Sequence, residues 1–158
     1  MRRIPLFLSI LAVATTALGA HSRWTLKERS VIETAPFVVS AQFPEGWSVE
    51  NGQVVPPEAL RSACRVQREI LHGSDWNTAL AGAMRDAQLD KRELFKAGGH
   101  VAVKYETGAT ESVFINLDDI EPAAFAIWNV AFDQNAAGHQ CRSEFDVLAR
   151  TVSIEPAR

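Results

Sequence analysis

Two cysteines, Cys64 and Cys141, constrain this chain more than any other feature of its 158 residues. Cys64 shares one side of an alternating stretch with Val66 and Ile70. Arg65, Gln67 and Glu69 take the other side, which is the period of a half-buried strand over 61–71. Arg68 breaks the apolar side near the strand's end. Cys141 opens a different pattern. Phe145, Leu148 and Val152 follow it at spacings of 4, 3 and 4, the apolar stripe of a helix over about 140–152. A strand and a helix that each turn a cysteine inward predict a helix–sheet interface closed by a Cys64–Cys141 disulfide. Such a bond belongs to an oxidising compartment, so the question becomes whether the chain is exported.

The first residues point that way. Arg2 and Arg3 precede a short apolar run with Leu6, Phe7, Leu8, Ile10, Leu11 and Val13, and small residues follow at Gly19, Ala20 and Ser22. This is the layout of a secretory signal peptide over 1–22, with cleavage after Gly19, Ala20 or Ser22. The run is short for a membrane span and carries Ser9, Thr15 and Thr16. No second stretch is long enough to cross a bilayer, so no stable span is expected after cleavage. The expected location is the periplasm or the exterior. A net charge of −3 with no basic stripe argues against a nucleic-acid partner.

Segment 23–36 is polar and reads as a loose lead-in. A single α+β domain is expected over 37–154. Phe37, Val39, Ala41 and Phe43 alternate as a strand that Pro44 ends. Trp47 starts a second short strand, Asn51-Gly52 marks a two-residue hairpin turn, and Val54-Val55 returns. Gly73-Ser74-Asp75 reads as an N-cap. Trp76, Leu80, Met84 and Ala87 then share one face of a helix over about 75–88. Strands follow at 93–96, 101–105, 113–117 and 124–133, separated by Gly98-Gly99, Thr107-Gly108 and the polar loop 118–122. Gln134 to Gly138 breaks the pattern before the last helix. Short turns imply antiparallel pairing, and a mainly antiparallel sheet with two main helices makes a layered α+β sandwich.

This order resembles the PsbP/MOG-type fold and its DcrB-like exported bacterial proteins. The residues that carry the resemblance are FPEGW after the first strand, then GGHVAVKYE, ESVFINL, AFAIWNVAFD and the closing FDVLARTVSI, within 37–154. The resemblance implies a binding module, not an enzyme. Relatives of this kind include a lumenal photosystem subunit and a Ran-binding protein, and some bacterial ones look like adaptors or chaperones. It carries over no catalytic residues, no cofactor and no metal ligands. The expected partner is another envelope protein. Within this frame FPEGW is a corner of the fold, not the lip of a binding site, and Trp47 covers one end of the sheet by burial.

Candidate chemistry is sparse. His139 and Cys141, with Cys64, have the makings of a metal site, but an exported cysteine pair oxidises instead. Ser74 lacks a nucleophile elbow and sits where a cap belongs. Asp118, Asp119 and Glu121 form an acidic loop without the glycine and spacing of a calcium loop. These three and His100, beside Gly98-Gly99, form the candidate surface. They are also where an alternative reading, a small periplasmic hydrolase or ligand-binding enzyme, would place its site.

Overall fold

The computed structural model describes residues 25–73, 75–83, 85 and 92–158. The expected signal peptide, Ser74, Met84 and Ala87 lie outside them. Among these residues, ten strands and three helices form an α+β sandwich in which every strand pairing is antiparallel.

The predicted first strand is β2, Phe37–Pro44, and six of its eight residues are buried. It is the middle strand of a three-stranded sheet and not an edge. On one side lies β1, Leu26–Glu33, in the segment expected to be a loose lead-in. Its sequence LKERSVIE hides the strand because it is an outer strand with only Ile32 buried, so it carries little alternation. On the other side lies β10, Ser153–Pro156, which the helical reading of the last residues missed. Trp47 leads into a two-stranded ribbon of β3, Ser48–Glu50, and β4, Gln53–Val55. Asn51 and Gly52 turn it with φ of 51° and 73°, as the Asn-Gly pair requires.

The larger sheet has five strands. β5 is Cys64–Leu71, β6 is Glu93–Ala97, β7 is His100–Thr107, β8 is Thr110–Asn116 and β9 is Phe125–Phe132, in the order β5-β9-β8-β7-β6. β5 begins three residues later than the alternation suggested. The preceding Glu58–Arg61 forms the short helix α1, which buries Leu60. Arg68, the residue that breaks the apolar side of β5, pairs with Glu33 and donates to the Gly52 carbonyl at 2.8 Å. It therefore ties the large sheet to β1 and to the hairpin turn.

Two helices cover opposite faces of this sheet. On one face α2, Trp76–Ala83, is capped by Asp75, whose carboxylate accepts the Thr78 N–H at 2.7 Å. The Thr78 hydroxyl and then this N–H hold the Asp75 carboxyl below its usual range. Trp76 and Leu80 lie over Tyr105, Phe114 and Phe125. The Trp76 ring meets Phe125 edge-on at 6.1 Å, and Phe114 and Phe125 stack at 5.7 Å.

The other face carries α3, Ala136–Arg150, which starts four residues before the predicted helix. Gln134 to Gly138 is not a break. Asn135 caps the helix by accepting the Gly138 N–H at 2.8 Å. Glycine stands at 138 for space: a Cβ there would lie 2.0 Å from the Asp133 carbonyl oxygen. The helix ends at Arg150, and Thr151 closes it by donating its hydroxyl to the Leu148 carbonyl. Val152, placed on the helical stripe by spacing, lies just past the end and is still fully buried.

α3 rests against β2 as well as β5, β6 and β9, so it joins the two sheets. Cys141, Phe145 and Leu148 are fully buried beneath it, with Trp128, Val130 and Phe132 of β9 in the same core. Burial of a side chain the size of Phe145 or Leu148 contributes roughly 2–3 kcal/mol. The Cys64–Cys141 disulfide is present, as predicted, and spans 77 positions of sequence. In the chain-entropy model a loop of that length stabilises the fold by about 4–5 kcal/mol.

Candidate functional site

The four candidate residues fall at two neighbouring places, and each carboxylate has a different task. His100 opens β7 and is buried. Its Nδ1 lies 2.9 Å from Asp119 Oδ1 and its Nε2 lies 3.0 Å from the Ile154 carbonyl oxygen. Both ring nitrogens therefore face acceptors. Both contacts are hydrogen bonds only in the imidazolium form, whose two nitrogens donate together. The ring links the start of β7 to β10 and leaves no nitrogen for a substrate. Gly98 packs the same junction from the preceding turn. Its φ is +57°, and a Cβ there would approach Ser153 Cα to 2.7 Å.

Asp118 is occupied by its own loop. Its carboxylate accepts the Ala123 N–H at 3.0 Å and its N–H donates to Asn116 Oδ1 at 2.8 Å. Glu121 turns away to His72, with 2.7 Å between carboxylate and Nδ1, and His72 stacks on Phe37 at 6.0 Å. A depression of about 260 Å³ beside His100, Asp118 and Asp119 remains, and both aspartates are exposed there. The residues flagged by the sequence thus come together as joints of the fold. A hydrolase that used His100 as its base would have to break one of the ring's two contacts.

The metal reading of His139 also fails. The sulfurs of Cys64 and Cys141 are bonded to each other, and the exposed His139 ring lies 5.9 Å from Phe132. Among the described residues, no three His, Cys, Asp or Glu side chains group closely enough to hold a metal ion.

Two arrangements along α3 were not found by sequence reasoning. The first is a charge network. Lys104 reaches Asp146 at 2.6 Å and Glu93 at 3.1 Å, and Arg150 reaches the same two carboxylates at 3.1 and 2.6 Å. Arg150 holds the Glu93 carboxyl down to about 2. Burial alone would lower the Lys104 ammonium, but Asp146, Glu111 and Glu93 hold it above the usual lysine range. Arg142 pairs with Glu106 at 2.6 Å and lies 5.6 Å from the Phe132 ring centre. Glu111 sits among them, almost wholly buried. Its Oε2 is 3.8 Å from Arg142 Nε, and its Oε1 has no hydrogen-bond partner among the described residues. Burial outweighs that loose pairing and pushes the Glu111 carboxyl up to about 7.

The second lies on the opposite flank of the helix. Glu144 is buried, with 4% of its surface exposed. Its Oε2 accepts the Trp47 indole N–H at 2.6 Å, and its Oε1 accepts the Gln140 amide at 2.9 Å. Trp47, only 1% exposed, is the fold corner that FPEGW predicts. Glu45 of the same pentapeptide, with Pro57, Leu60, Gln140 and Glu144, lines a cavity of about 410 Å³. FPEGW is therefore corner and rim at once. Glu144 escaped the sequence because one Glu between helical apolar residues looks like any solvated position.

No helix among the described residues is long and apolar enough to cross a membrane. Comparison of the chain with family models, curated proteins and solved structures found no match.

Proposed function

We propose that this chain is an exported, periplasmic protein of PsbP/MOG-like build that holds another envelope protein and catalyses no reaction. The signal-like first 22 residues and the disulfide support export. One observation carries the binding role. The five-stranded sheet ends on β6, and among the described residues no strand pairs with its outer edge. Beside that edge Leu94 is 73% exposed and Val101 46%, on the sheet face that α2 covers only in part. An open strand edge flanked by exposed aliphatic side chains suits addition of a partner's strand.

The test places a photo-crosslinking residue at Leu94, and in a control at Arg65, which lies on β5 at the far end of the same sheet. In a Gram-negative host, position 94 should give a discrete adduct with an envelope protein, and position 65 should not. Val101→Glu should remove the adduct. Equal adducts at both positions, or none, would overturn the reading. Turnover of a substrate by the purified protein would overturn its non-enzymatic part.

A further inference from the structure

The cavity beside Trp47 has a mixed lining. Pro57, Ala59 and Leu60 are its apolar residues. Thr25, Glu45, Gln140 and Glu144 are its polar ones, two of them acidic. The partners of Glu144 are both neutral, an indole N–H and a side-chain amide. Among the described residues neither Glu144 nor Glu45 forms an ion pair, and Lys27, the cation near this corner, donates instead to the Trp47 carbonyl at 3.2 Å. A buried carboxylate served only by neutral donors carries an uncompensated charge. Each of its oxygens has a second lone pair for another donor.

We propose that this cavity binds an alkylammonium or guanidinium group. The charged head sits against Glu144 and Glu45, and the aliphatic stem lies along Pro57 and Leu60. The two kinds of lining match the two halves of such a group, since lysine, arginine and alkyl amines bury a methylene stem while presenting a charged end. Trp47 is the positioning residue. Its indole N–H holds Oε2 of Glu144, which lines the cavity. The source of the cation is either a basic side chain of a protein or a free alkyl amine, and the chemistry is shared. This inference does not depend on the β6 edge, which involves other residues.

The Trp47 indole N–H reports the site directly, because it is hydrogen-bonded to the proposed ligand group. The experiment follows its proton–nitrogen resonance in the purified protein during titration. The probes are N-acetyl-lysine methylamide, N-acetyl-arginine methylamide and pentane diamine, with N-acetyl-norleucine methylamide as the uncharged control. The cationic probes should shift the resonance saturably and the control should not. Glu144→Gln keeps an acceptor for the indole and should weaken binding at least about tenfold. Glu45→Gln changes an exposed residue that cannot unfold the protein, and should weaken binding less. Tighter binding of the amino-acid probes identifies a partner's side chain as the source, and tighter binding of the diamine identifies a free amine. No saturable shift, an equal shift with the norleucine control, or unchanged binding in both variants would overturn the proposal.

Discussion

Along one flank of α3, Arg142, Asp146 and Arg150 meet Glu93, Lys104, Glu106 and Glu111. Along the other, Gln140 and Glu144 meet Trp47. On the first flank cations and carboxylates alternate in space, and nearly every charge is answered within the protein. On the second, a buried carboxylate has only neutral partners among the described residues. Both flanks seat the same helix, yet the second sets that carboxylate beside a cavity. Charge that is closed on itself marks structure, whereas charge held ready by neutral donors leaves room for a ligand.

The strongest way to break this comparison is to unseat the helix. Cys64→Ala removes the bond between β5 and α3 and should cost about 4–5 kcal/mol. Thermal unfolding under oxidising conditions should show a large fall in Tm, and a reductant should lower wild type to the same value. An unchanged Tm would mean that packing alone holds the helix.

The next change touches only the Trp47 flank. Trp47→Phe leaves Glu144 Oε2 without its indole donor and removes part of a buried ring, for a loss of about 3 kcal/mol in denaturant unfolding. A loss under about 1 kcal/mol would show that the carboxylate finds another donor.

Glu111 sharpens the other flank. Its folded-state value of about 7 lies above the ordinary 4.5, so between those values the folded protein binds more protons than the unfolded chain. Stability attributable to Glu111 therefore falls as pH rises from 4.5 to about 7 and stays lower above that. Glu111→Gln should raise stability by about 3 kcal/mol at pH ~8 and have little effect at pH ~4.5. Denaturant midpoints across that range measure the difference, and a gain that did not shrink on acidification would remove ionisation as its cause.

The smallest effect belongs to Arg150. It pairs with Glu93 and Asp146 and lies 5.0 Å from the Phe95 ring centre, but its side chain is 37% exposed. Arg150→Ala should cost no more than about 1 kcal/mol, and less in high salt.

The parts of this molecule that could be read in advance are those where burial imposes a period. Cys64 and Val66 alternate with Arg65 and Gln67 because one face of β5 meets the core. Cys141, Phe145 and Leu148 recur because one side of α3 does. β1 could not be read, since an outer strand with one buried residue has almost no period to show. β10 follows directly on the helix predicted to end at 152, and with only Ile154 buried among its four residues it too has no period to show. The candidate site divides in the same way. His100 and Asp119 do belong together, and an acidic loop after a strand was a fair signal of it. Their link to β10 is not legible, because the third partner is the Ile154 carbonyl, a backbone group that no residue type reveals. Glu144 differs again: its burial depends on Trp47, 97 positions away.

The pairing of β10 with β2 has a consequence for how the chain comes into being. Residues 37–44 find their neighbour on one side only in residues 153–156. A chain that emerges from a ribosome or a channel starting at residue 1 exposes β2 long before β10 exists outside. Until then the smaller sheet lacks a strand, and neither His100 nor Gly98 has the segment it packs against. The last contacts to become possible are therefore among those that close the core. Such a topology holds back closure of the smaller sheet until residues 153–156 have emerged, a built-in timer on compaction.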